Sequence, residues 1–226
     1  MTAVMTRPDV VRNIQQAGVV VVVRLSDSAV GLDVARALID GGITAIEITM
    51  TVPRAVELIA DVVRVLPHAL VGAGTVTDPA TARAVIDAGA KFVVSPVFRP
   101  RIVEACHERD VAALPGCFSP TEIAAAWDMG ADIVKIFPAT SLGPGYIKDL
   151  RGPFPLIKVM PTGGVSRENA ADWIRAGAVA IGVGTAIVDA KAVDARRFDT
   201  IAANAKAFVD AVREARSPSA KATGDR

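Results

Sequence analysis

Lysine is uncommon in the middle of an apolar run, and one position in this chain stands out for that reason. Lys135 follows Ile133-Val134 and precedes Ile136-Phe137-Pro138. Apolar surroundings disfavour an ammonium ion, and the neutral amine that they favour can attack a carbonyl carbon to form a Schiff base. We therefore predict that Lys135 is a covalent nucleophile. The alternative interpretation is a structural lysine that fills the interior or pairs with a carboxylate.

A carboxylate occupies a similar apolar setting earlier in the chain. Glu47 lies within the run Ala45-Ile46-Glu47-Ile48-Thr49. Burying a carboxylate is costly unless it has a partner or a task. We predict that Glu47 is a general acid/base that moves protons during the reaction. A structural pairing with Lys135 is the alternative, and the two roles are compatible.

Two glycine turns near the C-terminal end of the chain predict a phosphate site. One is Gly163-Gly164, and the other is Gly184-Thr185 within Gly182-Val183-Gly184-Thr185. Glycines expose backbone N–H groups, and the N-terminus of a helix adds a positive dipole end. Each turn alone is more commonly just a turn, but the two together favour a phosphate.

Histidines, cysteines and net charge exclude several classes of site. Neither His68 nor His107 lies at the end of a predicted strand, no carboxylate cluster accompanies them, and Cys106 and Cys117 lack Cys-x-x-Cys spacing. We therefore expect no metal and no cofactor. The formal net charge is +1, without a block of like charges, which argues against a nucleic-acid or membrane partner.

Composition indicates a globular protein with a well-buried core. The chain is 51% hydrophobic and 22% charged, as is typical of soluble domains. The apolar run from Val19 to Val23 is far too short to span a bilayer and lacks the flanks of a signal peptide. Without a disulfide framework, a reducing compartment is the default. We expect a cytoplasmic location.

Apolar, β-branched runs alternate with helical segments along the chain. The predicted strands are residues 19–24, 45–49, 70–74, 92–95, 111–115, 133–136, 157–161 and 178–183. Eight βα units predict an α/β fold, a single (β/α)8 TIM barrel with an extra N-terminal helix over residues 8–17. A flavodoxin-like or Rossmann sheet is the alternative. We expect the barrel to span residues 1–216, followed by a disordered tail at 217–226.

A barrel would bring the chemical residues together, because active sites lie at the C-terminal ends of barrel strands. Lys135, Glu47 and both glycine turns occupy such positions. The ordered set of motifs at these positions is Ile46-Glu47-Ile48-Thr49, Gly72-Ala73-Gly74-Thr75-Val76, Val94-Ser95-Pro96, Pro115-Gly116 with Ser119-Pro120-Thr121-Glu122, Val134-Lys135-Ile136-Phe137-Pro138-Ala139 and Pro161-Thr162-Gly163-Gly164-Val165. This set, from about Val10 to Arg213, resembles the KHG/KDPG aldolase family, which includes 2-keto-3-deoxy-6-phosphogluconate (KDPG) aldolase.

The resemblance implies a metal-free class I aldolase, typically a homotrimer, that cleaves KDPG to pyruvate and glyceraldehyde 3-phosphate in the Entner–Doudoroff pathway. Carried over by position, it implies that Lys135 is the Schiff-base lysine and Glu47 the general acid/base. The predicted substrate-binding residues are Arg24, Thr49, Thr75, Pro96, Phe137 and Thr162, and the predicted phosphate-binding residues are Gly163, Gly164, Gly184 and Thr185.

One departure from the family pattern concerns the substrate carboxylate. Many members have an arginine shortly after the catalytic glutamate, in a Thr-Leu-Arg-Thr run, whereas this chain has Thr49-Met50-Thr51-Val52. Arg24, at the end of the first predicted strand, is the candidate to replace that arginine. Thr162 favours KDPG over its 6-phosphogalactonate epimer, since galactonate-type relatives tend to carry an apolar residue there. Cleavage of 4-hydroxy-2-oxoglutarate remains open.

Two other functions compete with the aldolase prediction. A sugar-phosphate isomerase or synthase of the phosphate-binding barrel group would share the glycine turns but would not need Lys135. A non-catalytic building block, in which an aldolase-like trimer forms a larger assembly, would need exposed apolar surfaces on the outer helices. Residues 124–127 and 187–190 are the candidates for such surfaces, although ordinary packing explains them as well.

Overall fold

Parallel strands alternate with helices throughout the computed structural model, which describes residues 5–217. The strands are β1 Val19–Val23, β2 Ala45–Thr49, β3 Leu70–Gly74, β4 Phe92–Val94, β5 Ala112–Leu114, β6 Gly116–Cys117, β7 Val134–Ile136, β8 Val159–Pro161 and β9 Ile181–Val183. The helices are α1 Arg7–Ala17, α2 Gly31–Asp40, α3 Ala55–Val65, α4 Pro79–Asp87, α5 Pro100–His107, α6 Pro120–Asp128, α7 Gly143–Leu150, α8 Ala170–Arg175, α9 Ala190–Asp194 and α10 Phe198–Arg216. The predicted tail, apart from Ser217, lies outside the described residues.

The strands form two parallel sheets, in the orders β5-β4-β3-β2-β1-β9 and β6-β7-β8. This confirms the α/β class with parallel strands. The predicted strand 111–115 is observed as two short strands, β5 and β6, on either side of Pro115. Proline has no N–H to donate and so interrupts a ladder of hydrogen bonds.

Side chains on the two faces of the strands form two separate apolar clusters. One cluster takes every second strand residue, including Val20, Ala45 and Met160, together with Val10 and Ile14 of α1. The other contains the intervening strand residues and the buried faces of the outer helices. The strands are therefore buried on both faces, as their continuous apolar runs predict. We call the first cluster, to which α1 contributes, the inner cluster.

Several local features differ from the sequence-based prediction. Helices α7 and α9 leave only a weak signal in the sequence, because α7 begins with Gly143-Pro144-Gly145 and α9 has only five residues. Ile187 and Val188, the large apolar residues of the predicted surface 187–190, are instead buried in the chain's own core. In the described part of the chain, no helix is both long and apolar enough to cross a membrane.

The inner cluster should depend on the helix that precedes the first strand. Ile14 is fully buried there, so Ile14→Ala should lower the free energy of unfolding by about 2–5 kcal/mol, measured by urea denaturation. Gln16→Ala, an exposed change on the same helix, should alter it by less than about 0.5 kcal/mol. Equal losses in the two variants would show that α1 does not stabilise the inner cluster.

Candidate active site

The side chain of Lys135 is buried and does not lie at the surface. It is the central residue of β7, only 2% exposed, and is paired with Gly116 of β6 and Met160 of β8. Since side chains alternate along a strand, Lys135 shares the inner face with Ile133. Its Nζ lies 4.9 Å from the centre of the Phe137 ring. The amine is therefore held in apolar and aromatic surroundings, as the sequence predicts.

Glu47 is the second charged side chain that is buried in the described part of the chain. It lies in β2, fully buried, and is paired with Val22 of β1 and Gly72 of β3. Neither carboxylate oxygen has a hydrogen-bond partner among the described residues. Burial raises the pKa of Glu47 above its ordinary value, and the positive charges of Lys135 and then Arg24 oppose this rise.

Lys135 lies close enough to Glu47 to lower the pKa of its carboxyl group, so the two predicted catalytic residues belong to one site. Their strands belong to different sheets, so the two side chains interact across the interior and not between hydrogen-bonded neighbouring strands. A carboxyl group with a raised pKa can donate as well as accept a proton near neutral pH. A buried amine and a buried carboxyl group thus share an environment from which water is largely excluded.

A cleft of about 120 Å³ opens next to this pair, at the C-terminal ends of β1, β7, β8 and β9. Its lining includes Arg24, Phe137, Thr162, Gly163, Gly164, Gly184 and Thr185, all predicted site residues. Arg24 is the one cationic side chain in that lining. The Thr162 hydroxyl is buried and has no hydrogen-bond partner among the described residues, so it is available to a ligand. The cleft therefore unites the predicted phosphate turns with part of the predicted substrate pocket.

The first glycine turn has a geometry that only glycine adopts readily. Gly163 and Gly164 have φ values of 93° and 70°, in the left-handed region. The Asn169 amide donates to the carbonyl of Gly164 at 2.9 Å, and its oxygen accepts the N–H of Ser166 at 2.8 Å. Ala170 N–H donates to the carbonyl of Ser166 at 3.0 Å, and α8 begins at Ala170. Any phosphate site here depends on backbone N–H groups of the turn and not on a helix dipole.

Three predicted substrate residues lie outside the lining of this cleft. The Thr49 hydroxyl donates to the carbonyl of Val23 at 3.0 Å and lies 2.7 Å from the hydroxyl of Thr51, so it already has partners. Thr75 follows β3 with a left-handed φ of 59°, a costly conformation for a β-branched residue that is typical of functional sites. Pro96 follows β4 and is partly buried.

A larger cavity, about 690 Å³, lies elsewhere in the molecule. It is lined by residues of α1, the end of α10 and the chain leading into β3, at the N-terminal ends of the strands. None of the buried charged side chains lines it, and parallel α/β sheets bind their ligands at the carboxyl ends of the strands. Size alone therefore does not identify the site. The described residues contain no group of three or more His, Cys, Asp or Glu side chains that could hold a metal ion.

Sequence reasoning missed Gly182, which also lines the cleft. A Cβ atom at Gly182 would come within 3.1 Å of Cβ of Thr162 and closer still to its hydroxyl. Gly182 therefore leaves the space that the Thr162 side chain occupies. The spacing Gly182-x-Gly184 was a visible signal, but only the second glycine was assigned to the site.

Similarity to known proteins agrees with this geometry. The model of the family "Aldolase: KDPG and KHG aldolase" matches residues 10–204. A 2-dehydro-3-deoxy-phosphogluconate aldolase of Treponema pallidum is 36% identical over 84% of this chain and 91% of its own. A 2-dehydro-3-deoxy-6-phosphogalactonate aldolase of Escherichia coli is also 36% identical, over 79% of this chain and 86% of its own.

A solved structure extends the similarity from sequence to coordinates. A KDPG aldolase of Legionella pneumophila, with pyruvate captured as a covalent carbinolamine intermediate, has a TM-score of 0.82 and 28% identity, and the match covers 89% of this chain and 97% of that one. Together with the family match over residues 10–204, these similarities show that this chain belongs to the KDPG and KHG aldolase family.

Proposed function

We propose that this protein is a class I aldolase that cleaves KDPG to pyruvate and glyceraldehyde 3-phosphate, with Lys135 as the Schiff-base lysine and Glu47 as the proton carrier. The observation that carries the proposal is the burial of these two side chains in one electrostatically coupled site. A structural lysine would not need a cleft with two glycine turns beside it. Neither the sugar-phosphate isomerase or synthase nor the non-catalytic assembly protein would require a buried amine at position 135.

The covalent step uses the neutral amine of Lys135. Its nitrogen attacks the C2 ketone of the substrate, and the resulting carbinolamine loses water to give a protonated imine. That cation accepts the electron pair of the C3–C4 bond as the bond breaks, which leaves an enamine on Lys135. Glyceraldehyde 3-phosphate departs, C3 of the enamine is protonated, and water releases pyruvate.

Glu47 carries the protons of this sequence. As a carboxylate it takes the proton of the C4 hydroxyl while the C3–C4 bond breaks, and as a carboxylic acid it returns a proton to C3 of the enamine. Its raised pKa supports both roles, because an acid/base works best when its pKa approaches the working pH. The absence of protein hydrogen bonds to its oxygens leaves them available to the substrate.

The cleft supports phosphate binding far from the reacting carbons. Backbone N–H groups of the turns at Gly163-Gly164 and Gly184-Thr185 would bind the phosphate oxygens. Arg24 lines the cleft beside these turns, so we assign it to the phosphate instead of the substrate carboxylate. Binding a remote phosphate orients the ketone for attack by Lys135.

Thr162 supports KDPG as the preferred substrate over its 6-phosphogalactonate epimer. Thr162 lines the cleft, and its hydroxyl is buried and unpaired among the described residues. A substrate that hydrogen-bonds to this hydroxyl binds more favourably than one that leaves it unsatisfied. The identity values do not separate the two activities, because relatives of both kinds are 36% identical to this chain.

We also propose that the two sheets form one closed eight-stranded barrel, with β5 and β6 as halves of a single strand. Lys135 N–H donates to the carbonyl of Pro115 at 2.9 Å, and Asp132 N–H donates to the carbonyl of Ala113 at 3.0 Å, so the segment containing β7 pairs with both halves. At the other seam, Thr162 bridges to Gly182. These contacts support closure around Lys135 and Glu47.

Three properties beyond the reaction complete the proposal. We propose that the enzyme needs no metal, since the amine of Lys135 supplies the electron sink. We propose a homotrimer, and the exposed apolar side chains Val97 and Phe118, 44% and 42% exposed, are candidates for its interfaces. We propose a cytoplasmic location, which suits the two free, buried thiols of Cys106 and Cys117.

Pyruvate and borohydride together should leave a reduced three-carbon adduct on Lys135, detected by peptide mass spectrometry. Lys135→Met should lose the adduct and at least about a thousandfold in KDPG cleavage, measured by coupled pyruvate release. Lys91→Met, an exposed lysine outside the site, is the matched control and should keep both. Substantial activity in Lys135→Met would favour the isomerase or synthase alternative.

Substrate preference should depend on the hydroxyl of Thr162. Thr162→Val keeps the side-chain shape but removes that hydroxyl, so the ratio of kcat/KM for KDPG to that for the 6-phosphogalactonate epimer should fall by about tenfold. The assay is pyruvate release with KDPG, the epimer and 4-hydroxy-2-oxoglutarate in parallel. An unchanged ratio would remove Thr162 from the specificity site.

The raised pKa of Glu47 predicts a stability that depends on pH. The folded state disfavours ionised Glu47, so its contribution is most favourable below the unfolded-state pKa of about 4.3 and is lost as pH rises through the folded-state pKa. As the pH rises from 5 to 8, the free energy of unfolding of Glu47→Gln should therefore increase relative to that of wild type, measured by urea denaturation. Glu57→Gln, at an exposed site, controls for the change in net charge. A constant difference for Glu47→Gln across this range would contradict the assignment.

A further inference from the structure

Gly74 ends β3 directly beside the side chain of Glu47. Glu47 is paired with Gly72, and Thr49 of the same strand is paired with Gly74. A Cβ atom at Gly74 would lie 2.5 Å from Cδ and 2.6 Å from Cγ of Glu47, and closer still to Oε1. Carbon atoms in contact are normally about 3.5–4.0 Å apart. The Glu47 side chain therefore fills the space that any side chain at position 74 would need.

Backbone conformation does not explain this glycine. Gly74 is a strand residue and is not one of the glycines with a positive φ; the left-handed residue is its neighbour Thr75. Alanine could adopt this conformation, and glycine inside a strand carries an entropic cost. The three atoms nearest to a Cβ at Gly74 all belong to Glu47, so the steric constraint concerns that side chain.

We propose that Gly74 is a positioning residue for proton transfer: the absence of a side chain there creates the slot that holds the Glu47 carboxylate in the site. The proposal rests on the proposed role of Glu47 as acid/base. No hydrogen bond from a described residue fixes either carboxylate oxygen. Confinement between the neighbouring strands therefore fixes the carboxylate while leaving its oxygens available to the substrate.

A double-mutant cycle on stability tests the slot without reference to activity. Gly74→Ala should lower the urea midpoint of unfolding when Glu47 is present, because the new methyl group displaces the carboxylate. In the Glu47→Ala background the same change should cause no loss, because the space is vacant. Equal losses in both backgrounds would overturn the proposal. If Gly74→Ala alone does not fold, the double variant with Glu47→Ala should still fold, and its failure would also overturn the proposal.

Kinetics test whether the slot matters for proton transfer. Gly74→Ala should reduce kcat for KDPG cleavage by about a hundredfold, while the final yield of the borohydride-trapped pyruvate adduct on Lys135 stays unchanged. In the Glu47→Ala background, which lacks all three atoms that the new methyl group would meet, the same change should cost less than about threefold of the remaining kcat. Equal kcat losses in the two backgrounds would contradict the positioning role. Loss of the adduct in wild type would instead refute the proposed function, and the stability cycle would still be interpretable.

Gly72→Ala is the matched control on the same strand. A Cβ atom there would lie 2.5 Å from Cζ of Phe92, and all three nearest atoms belong to that ring. This change should therefore destabilise the protein equally in the Glu47 and Glu47→Ala backgrounds. If Gly72→Ala depended on Glu47 as strongly as Gly74→Ala does, the coupling would not be specific to Gly74 and the proposal would fail.

Discussion

Desolvation of two ionisable side chains is the constraint on which the site depends. Lys135 and Glu47 are the buried charged side chains of the described chain, and water solvates neither well. Removing an ion from water is costly, and a neighbouring opposite charge returns only part of that cost. The raised pKa of Glu47, despite the field of Lys135, shows that burial outweighs attraction here. Hydrophobic burial elsewhere must supply the stability that this pair consumes, and the double-sided packing of the strands and the contact of α1 with the inner cluster provide it.

Glycines lie next to both members of the pair in the sheet register. Gly116 lies next to Lys135 in the β6–β7 register, Gly72 lies next to Glu47, and Gly182 leaves space for Thr162. Inner positions nearer the N-terminal ends of the strands instead carry larger apolar side chains such as Leu70, Phe92 and Ile133. Large inner side chains thus lie towards α1, and the cleft of about 120 Å³ lies at the C-terminal strand ends, where a substrate would enter.

Much of this arrangement could be predicted because charge inside an apolar run is a local signal. Lys135 and Glu47 were identifiable from their immediate neighbours, and the strands from their β-branched runs. What sequence could not supply depends on contacts between distant segments. Three features arise only when separate strands meet. They are the hydrogen bond from the Thr49 hydroxyl to the carbonyl of Val23, the position of Arg24 beside the glycine turns, and the close approach of Glu47 to Gly74.

Exposure changes along the proposed path of the substrate in a way that suits the chemistry. Arg24 and Thr185 are exposed, Phe137 and Gly163 are intermediate, and Lys135 is buried. A phosphate bound at the exposed end can keep part of its hydration, whereas the ketone enters the region where the amine is least solvated. Arg24 also belongs to the charges that lower the pKa of Glu47. Under the proposed function, a phosphate bound to Arg24 would offset that positive field, so Glu47 would be a stronger base while it removes the proton of the C4 hydroxyl. The field returns when glyceraldehyde 3-phosphate departs, and the lower pKa of Glu47 then favours donation of its proton to the enamine.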